Sequence, residues 1–164
     1  MKKVLFGVVA AVAIAGAGFW QLSATAQVAP NVTFTSLTGQ KITTQDLRGE
    51  VVLVKFWATS CTTCIAQMPD MIKEYDKLAP KGFQAIAVAM QYDPPNYVVN
   101  YAQTRHLPFP VAIDAQGKIA KAFGDIKLTP TAFLIDKQGH IIKRYLGNYN
   151  RTAFMQTVEK ALAS

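Results

Sequence analysis

The segment Val51 to Cys64, VVLVKFWATSCTTC, constrains this chain more than any other. A Val-rich apolar run ends at Trp57, short residues follow, and Cys61 and Cys64 stand in a C-x-x-C spacing. The run has the composition of a strand buried on both faces. Helical periodicity begins beyond it, so the cysteines fall at a strand-to-helix junction. A thiol at a helix start faces unpaired backbone N–H groups and the positive end of the helix dipole, both of which favour thiolate over thiol. A second thiol one turn further on can close a disulfide with it. The chain contains no other cysteine, so disulfide chemistry between Cys61 and Cys64 is the first expectation.

A chain of 164 residues is expected to form one domain, at 31–164, behind an N-terminal segment. Met1 to Ala26 has the parts of an export leader: Lys2 and Lys3, an apolar run from Val4 to Trp20, and Ala24-Thr25-Ala26 as a small-x-small cleavage site. The run fits either a cleaved signal peptide or a retained membrane anchor, since its length lies between the two. In both cases the leading lysines stay in the cytoplasm and the folded part lies outside it, periplasmic or extracytoplasmic. The formal charge is +7. Its basic residues are scattered, without an arginine cluster or basic helix, which argues against a nucleic-acid partner. Two cysteines are too few for a disulfide framework or a four-cysteine zinc site.

Along the chain, Gln27 to Pro30 reads as a linker, and Val32–Leu37 with Lys41–Thr44 as a hairpin turning at Gly39. From Thr62, the residues Ile65, Met68, Ile72, Tyr75 and Leu78 mark an inward helix face, with Lys73, Glu74, Asp76 and Lys77 on the other. Pro69 should kink this helix and set the cysteine turn apart from its body. Phe83–Met90 is a second buried strand, which makes a parallel β-α-β unit. A helix over Tyr97–Arg105, with Tyr97, Val98, Tyr101 and Ala102 inward, a strand over Phe109–Ile113 and a short helix over Gly117–Phe123 come next. Strands Thr131–Asp136 and Ile141–Tyr145 turn at Lys137-Gln138-Gly139-His140. A helix over Arg151–Leu162, with Phe154, Met155, Val158 and Leu162 inward, ends the chain.

A parallel β-α-β half, an antiparallel β-β-α half and C-x-x-C after the first buried strand define an α/β, thioredoxin-like layout: a central mixed sheet flanked by helices, here with an N-terminal hairpin extension. Within it, Phe56-Trp57-Ala58-x-x-Cys61-x-x-Cys64, Pro69 and Thr129-Pro130-Thr131 ahead of Phe133-Leu134-Ile135-Asp136 resemble the TlpA/ResA-like thiol-disulfide oxidoreductases over roughly residues 32–162. The resemblance implies an exported or membrane-held enzyme, often a protein-disulfide reductase and in some members one serving cytochrome c maturation. It implies disulfide-containing exported proteins as substrates and an inner-membrane electron donor, with no cofactor. It makes Cys61 the nucleophile, Cys64 the resolving thiol, Pro130 a cis-proline and Thr129 a backbone partner for substrate. A proline opening an apolar strand independently suits a constrained bond at a strand edge.

Three positions depart from the family pattern or lie near its edge. Lys55 stands where cytoplasmic thioredoxins carry a buried acid and relatives often an amide; buried, it favours a nearby thiolate, and its alternative is to snorkel to the surface. Asp93 falls roughly where ResA-like proteins place an acid near the thiols. Thr62-Thr63 lacks both the proline of reducing thioredoxins and the histidine of strong oxidants, although its hydroxyls and amides are candidate donors to the Cys61 thiolate. Trp57 reads equally as a shelf beside the disulfide or as core.

Rival readings are a thioredoxin-fold copper-binding or delivery protein, a periplasmic disulfide oxidant and a structural disulfide. Copper needs soft ligands with a histidine at hand, and His106 and His140 lie in no metal-binding pattern. Covalent haem attachment needs a histidine after C-x-x-C, where Ile65 stands.

Overall fold

The computed structural model describes residues 27–164, so the leader expected at 1–26 lies outside the described residues. Strands β1 (Gln27–Val28), β2 (Thr33–Thr35), β3 (Lys41–Thr43) and β4 (Val51–Trp57) precede helix α1 (Thr62–Leu78), which runs into a short 3-10 turn at Ala79–Lys81. Then come β5 (Phe83–Ala89), α2 (Pro95–Thr104), β6 (Val111–Ile113), α3 (Lys118–Ala122), β7 (Thr131–Ile135), β8 (His140–Leu146) and α4 (Arg151–Ala163). The main sheet has six strands in the order β1-β8-β7-β4-β5-β6, and β2 with β3 forms a separate two-stranded sheet. β4, β5 and β6 are parallel, while β7 runs antiparallel to β4 and β8 to β7.

β4 is central because every residue in it can be covered. All seven of its residues are buried, and alternate side chains serve opposite faces. Val51, Leu53 and Trp57 meet Cys64, Met68 and Met71 of α1 and Phe154 and Val158 of α4. Val52, Val54 and Phe56 meet Ile86, Phe133, Ile119 and Phe123, with Phe34 of β2 closing that side. Full burial of each such side chain contributes about 1.5–3 kcal/mol, which holds the strand firmly in the sheet. The cysteine-bearing junction at its carboxyl end is therefore carried on the best-held element of the fold.

Several expectations are corrected. Gln27–Val28 is an edge strand paired with β8 at Ile141 and His140, not a linker, because its backbone meets the unpaired side of β8. α1 runs through Pro69 as one helix, so the cysteine turn and the body are a single element. Glu74 lies on the inward face, 6% exposed, where the Arg151 guanidinium pairs with it at 2.9 Å. Tyr97 is 59% exposed rather than inward, and Val98 is the buried residue of α2.

Candidate active site

Cys61 is the N-cap of α1, with extended backbone, and its Sγ accepts the Cys64 N–H at 3.2 Å. A sulfur thus takes the place of the oxygen that usually satisfies a helix's orphan N–H groups. The hydrogen bond that caps the helix favours the anionic form of the same atom once the disulfide opens. Cys61 and Cys64 form a disulfide with Cα atoms 5.2 Å apart. Cys61 is half-buried and Cys64 fully buried, so an incoming sulfur reaches Cys61 first. Thr62 is exposed and Thr63 half-buried, and the observed donor to Cys61 is backbone rather than either hydroxyl.

The loop ahead of Cys61 is held from the end of β5. Buried Asp93 accepts the Thr59 N–H at 2.6 Å and the Thr59 hydroxyl at 2.5 Å, and Met90 N–H bonds the Trp57 carbonyl at 3.0 Å. Asp93 therefore acts on the loop that presents Cys61. Trp57 is fully buried against Tyr101, with ring centroids 5.3 Å apart, which is the core reading of this side chain rather than a substrate shelf. The Thr129–Pro130 peptide is cis, in agreement with the resemblance. Pro130 is buried and its carbonyl accepts the Gly147 N–H at 2.8 Å, while half-buried Thr129 shares a hydrogen bond with the Tyr92 hydroxyl at 3.3 Å.

Lys55 does not snorkel. It is 0% exposed and donates from Nζ to Gln67 Oε1 at 2.7 Å. Its register partners on either side are Ala87 and Ala132, whose small side chains leave room for the long stem. Burial pulls the Lys55 ammonium down to about 8, opposed by the charge of Glu74 and assisted by that of Arg151. Burial pushes the Glu74 carboxyl up to about 7, against the pull of Lys55. Arg151 Nη2 meets Glu74 Oε1 at 2.9 Å, and its other nitrogen pairs with Asp70.

Nothing in the local sequence marks Gln67 or Glu74 as part of the site. Both lie on the stripe that begins at Cys64, three and ten residues on, and a buried lysine demands an acceptor; that pairing is the available signal. Exposed His106 sits just beyond α2, and His140 lies 3.4 Å from Asp136. Among the described residues no group of three or more His, Cys, Asp or Glu side chains is arranged to hold a metal ion.

A thioredoxin-like sheet, a disulfide across the first turn of the helix after its central strand and a cis-proline opening β7 define a thioredoxin-fold protein with a redox-type cysteine pair. The Redoxin family model matches residues 24–162. Over 133 residues, the chain is 39% identical to the thiol-disulfide oxidoreductase ResA of Bacillus thuringiensis subsp. konkukian, covering 80% of this chain and 75% of that one. It is 32% identical to ResA of Geobacillus thermodenitrificans over 136 residues, covering 83% and 77% of the two chains. A thioredoxin-family thiol:disulfide interchange protein from Chlorobium tepidum superposes with a TM-score of 0.77 at 28% identity, covering 85% of this chain and 98% of that one. The chain belongs to the Redoxin family, and within it to the TlpA/ResA-like thiol-disulfide oxidoreductases.

Proposed function

We propose that this protein works outside the cytoplasm as a reductase of disulfides in other exported proteins, with Cys61 as the attacking and Cys64 as the resolving sulfur. The observation that carries the assignment of the two sulfurs is the cap: the Cys64 N–H points at Cys61 Sγ, the more accessible of the two, while the reducing direction follows the family resemblance of the sequence. Reduced Cys61, as thiolate, attacks a substrate disulfide and forms a mixed disulfide while one substrate sulfur leaves as thiolate. Deprotonated Cys64 then attacks Cys61, re-forms the Cys61–Cys64 disulfide and releases the second substrate thiolate. Two electrons pass to the substrate, its thiolates take up protons, and a membrane dithiol donor restores the enzyme. In this reading Thr129, the residue before cis-Pro130, offers its backbone to the substrate strand. The leader at 1–26 supplies export, as a cleaved signal peptide or as an anchor through residues 4–20. Cytochrome c maturation is the proposed setting, since it consumes apoprotein disulfides by this reaction.

A second reading, an oxidant of exported thiols, is favoured by buried Lys55. A cation buried against the helix that carries the cysteines stabilises thiolate, which stabilises the reduced form and makes the disulfide more oxidising. The Cys61/Cys64 reduction potential against glutathione separates the two. A value near that of thioredoxin, roughly −270 mV, supports the reductase, and one near roughly −120 mV supports the oxidant.

A further inference from the structure

Gln67 lies one helical turn beyond Cys64 and makes three hydrogen bonds to three separate residues of the chain. Its Oε1 accepts from Lys55 Nζ at 2.7 Å. Its Nε2 donates to the Gly147 carbonyl at 3.1 Å and to Asn148 Oδ1 at 3.0 Å. The Gly147 N–H in turn bonds the Pro130 carbonyl at 2.8 Å. The orientation of the amide is fixed by its neighbours, because a lysine can only donate and a backbone carbonyl can only accept. One side chain thus joins the strand that leads to the cysteines, the helix that carries them and the segment bonded to the cis-proline.

We propose that Gln67 is a positioning residue for disulfide exchange, holding the buried Lys55 charge against the helix that carries the cysteines with one end of its amide and tying the Pro130 segment to the same helix with the other. The inference rests on the exchange activity proposed for Cys61 and Cys64. A neutral acceptor is essential to the first half. It satisfies the buried ammonium without cancelling its charge, so the field that favours a thiolate survives. A carboxylate at the same place would neutralise Lys55 and would also turn an acceptor toward the Gly147 carbonyl and Asn148 Oδ1, parting the helix from the Pro130 segment. Glu74 and Arg151 face Lys55 from α1 and α4, and Tyr149 lies beside Glu74, so the local charge balance is set by these groups and Lys55 together.

The test uses the reduced protein as wild type, Gln67→Glu, Gln67→Met, Lys55→Met and the Lys55→Met/Gln67→Met double variant. The pH profile of thiol alkylation by iodoacetamide is read first. Gln67→Glu is expected to move the profile to higher pH, cutting the thiolate fraction at fixed pH about tenfold for a shift of about one unit. Gln67→Met moves it the same way, because Lys55 then loses its acceptor and its proton, and this shift is expected to vanish in the Lys55→Met background. The second readout is kcat/KM for a disulfide-bonded protein against that for glutathione disulfide, with Gln67→Glu losing more of the former. An unmoved profile in Gln67→Glu, or a Gln67→Met shift undiminished without Lys55, overturns the proposal. A wild type inert toward both disulfides would overturn the exchange activity instead, and the alkylation profiles, which need no disulfide substrate, would still decide the role of Gln67.

Discussion

Asp93 holds Thr59 by both ends: one carboxylate oxygen takes the backbone N–H at 2.6 Å and the other takes the hydroxyl. The two residues are 34 positions apart, and the contact ties the loop that presents Cys61 to the end of a neighbouring strand. Both donors come from one residue, so a single carboxylate replaces the water that two groups would otherwise bind. Replacing Asp93 with Asn turns an N–H₂ toward one of those donors. The variant is expected to lose about 1–3 kcal/mol of stability, read by urea unfolding of the oxidised protein, and to exchange disulfides more slowly. Wild-type stability in Asp93→Asn would contradict this account of the loop.

Lys55→Asn keeps a polar side chain on the strand but removes the charge. The alkylation profile of Cys61 in the reduced variant is expected to shift upward in pH, because the thiolate loses a buried cation. An unchanged profile would mean that the Lys55 field does not reach the reactive sulfur.

Stability should depend on pH with a shallow minimum near neutrality. Glu74 binds its proton more tightly in the folded state, about 7 against 4.5, so stability falls as pH rises through that window. Lys55 binds its proton less tightly when folded, about 8 against 10.5, so stability recovers between those values. Between about pH 5 and about pH 7.5, Glu74→Gln is expected to remove a fall on the order of 1 kcal/mol, the Arg151 ion pair offsetting part of the full linkage. Urea unfolding at the two pH values measures it; equal slopes for variant and wild type would count against a strained Glu74.

The frame of the fold is legible in the sequence because it is written locally. Val51–Trp57 and Phe83–Ala89 are nearly continuous apolar runs, α1 shows its inward stripe, and Gly39 and Gly139 mark turns where the backbone takes positive φ. The cysteine pair and Thr129-Pro130 are equally plain, since spacing and residue type alone carry them. The hidden part depends on partners distant in the chain. Glu74 looks like a surface charge until Arg151, 77 residues on, and Lys55 are brought to it. Gln67 looks like an ordinary helix residue until Gly147 arrives, 80 residues later. The strand at Gln27–Val28 exists because β8 offers an open edge, which no pattern within those residues announces.

Cys64→Ser is expected to leave the attacking sulfur in place and remove the resolving one. Incubated reduced with a disulfide-bonded protein, it should accumulate a mixed disulfide, seen as a mass increase that dithiothreitol reverses. Accumulation in Cys61→Ser instead would exchange the roles of the two sulfurs.

In the proposed reading, Cys61 is the sulfur through which electrons leave the protein. The rate at which the dithiothreitol-reduced, desalted protein reduces a disulfide-bonded protein, compared between wild type and Cys61→Ala, tests this most directly. Loss of exchange to the uncatalysed background in Cys61→Ala is the predicted result. Exchange at the wild-type rate would contradict it.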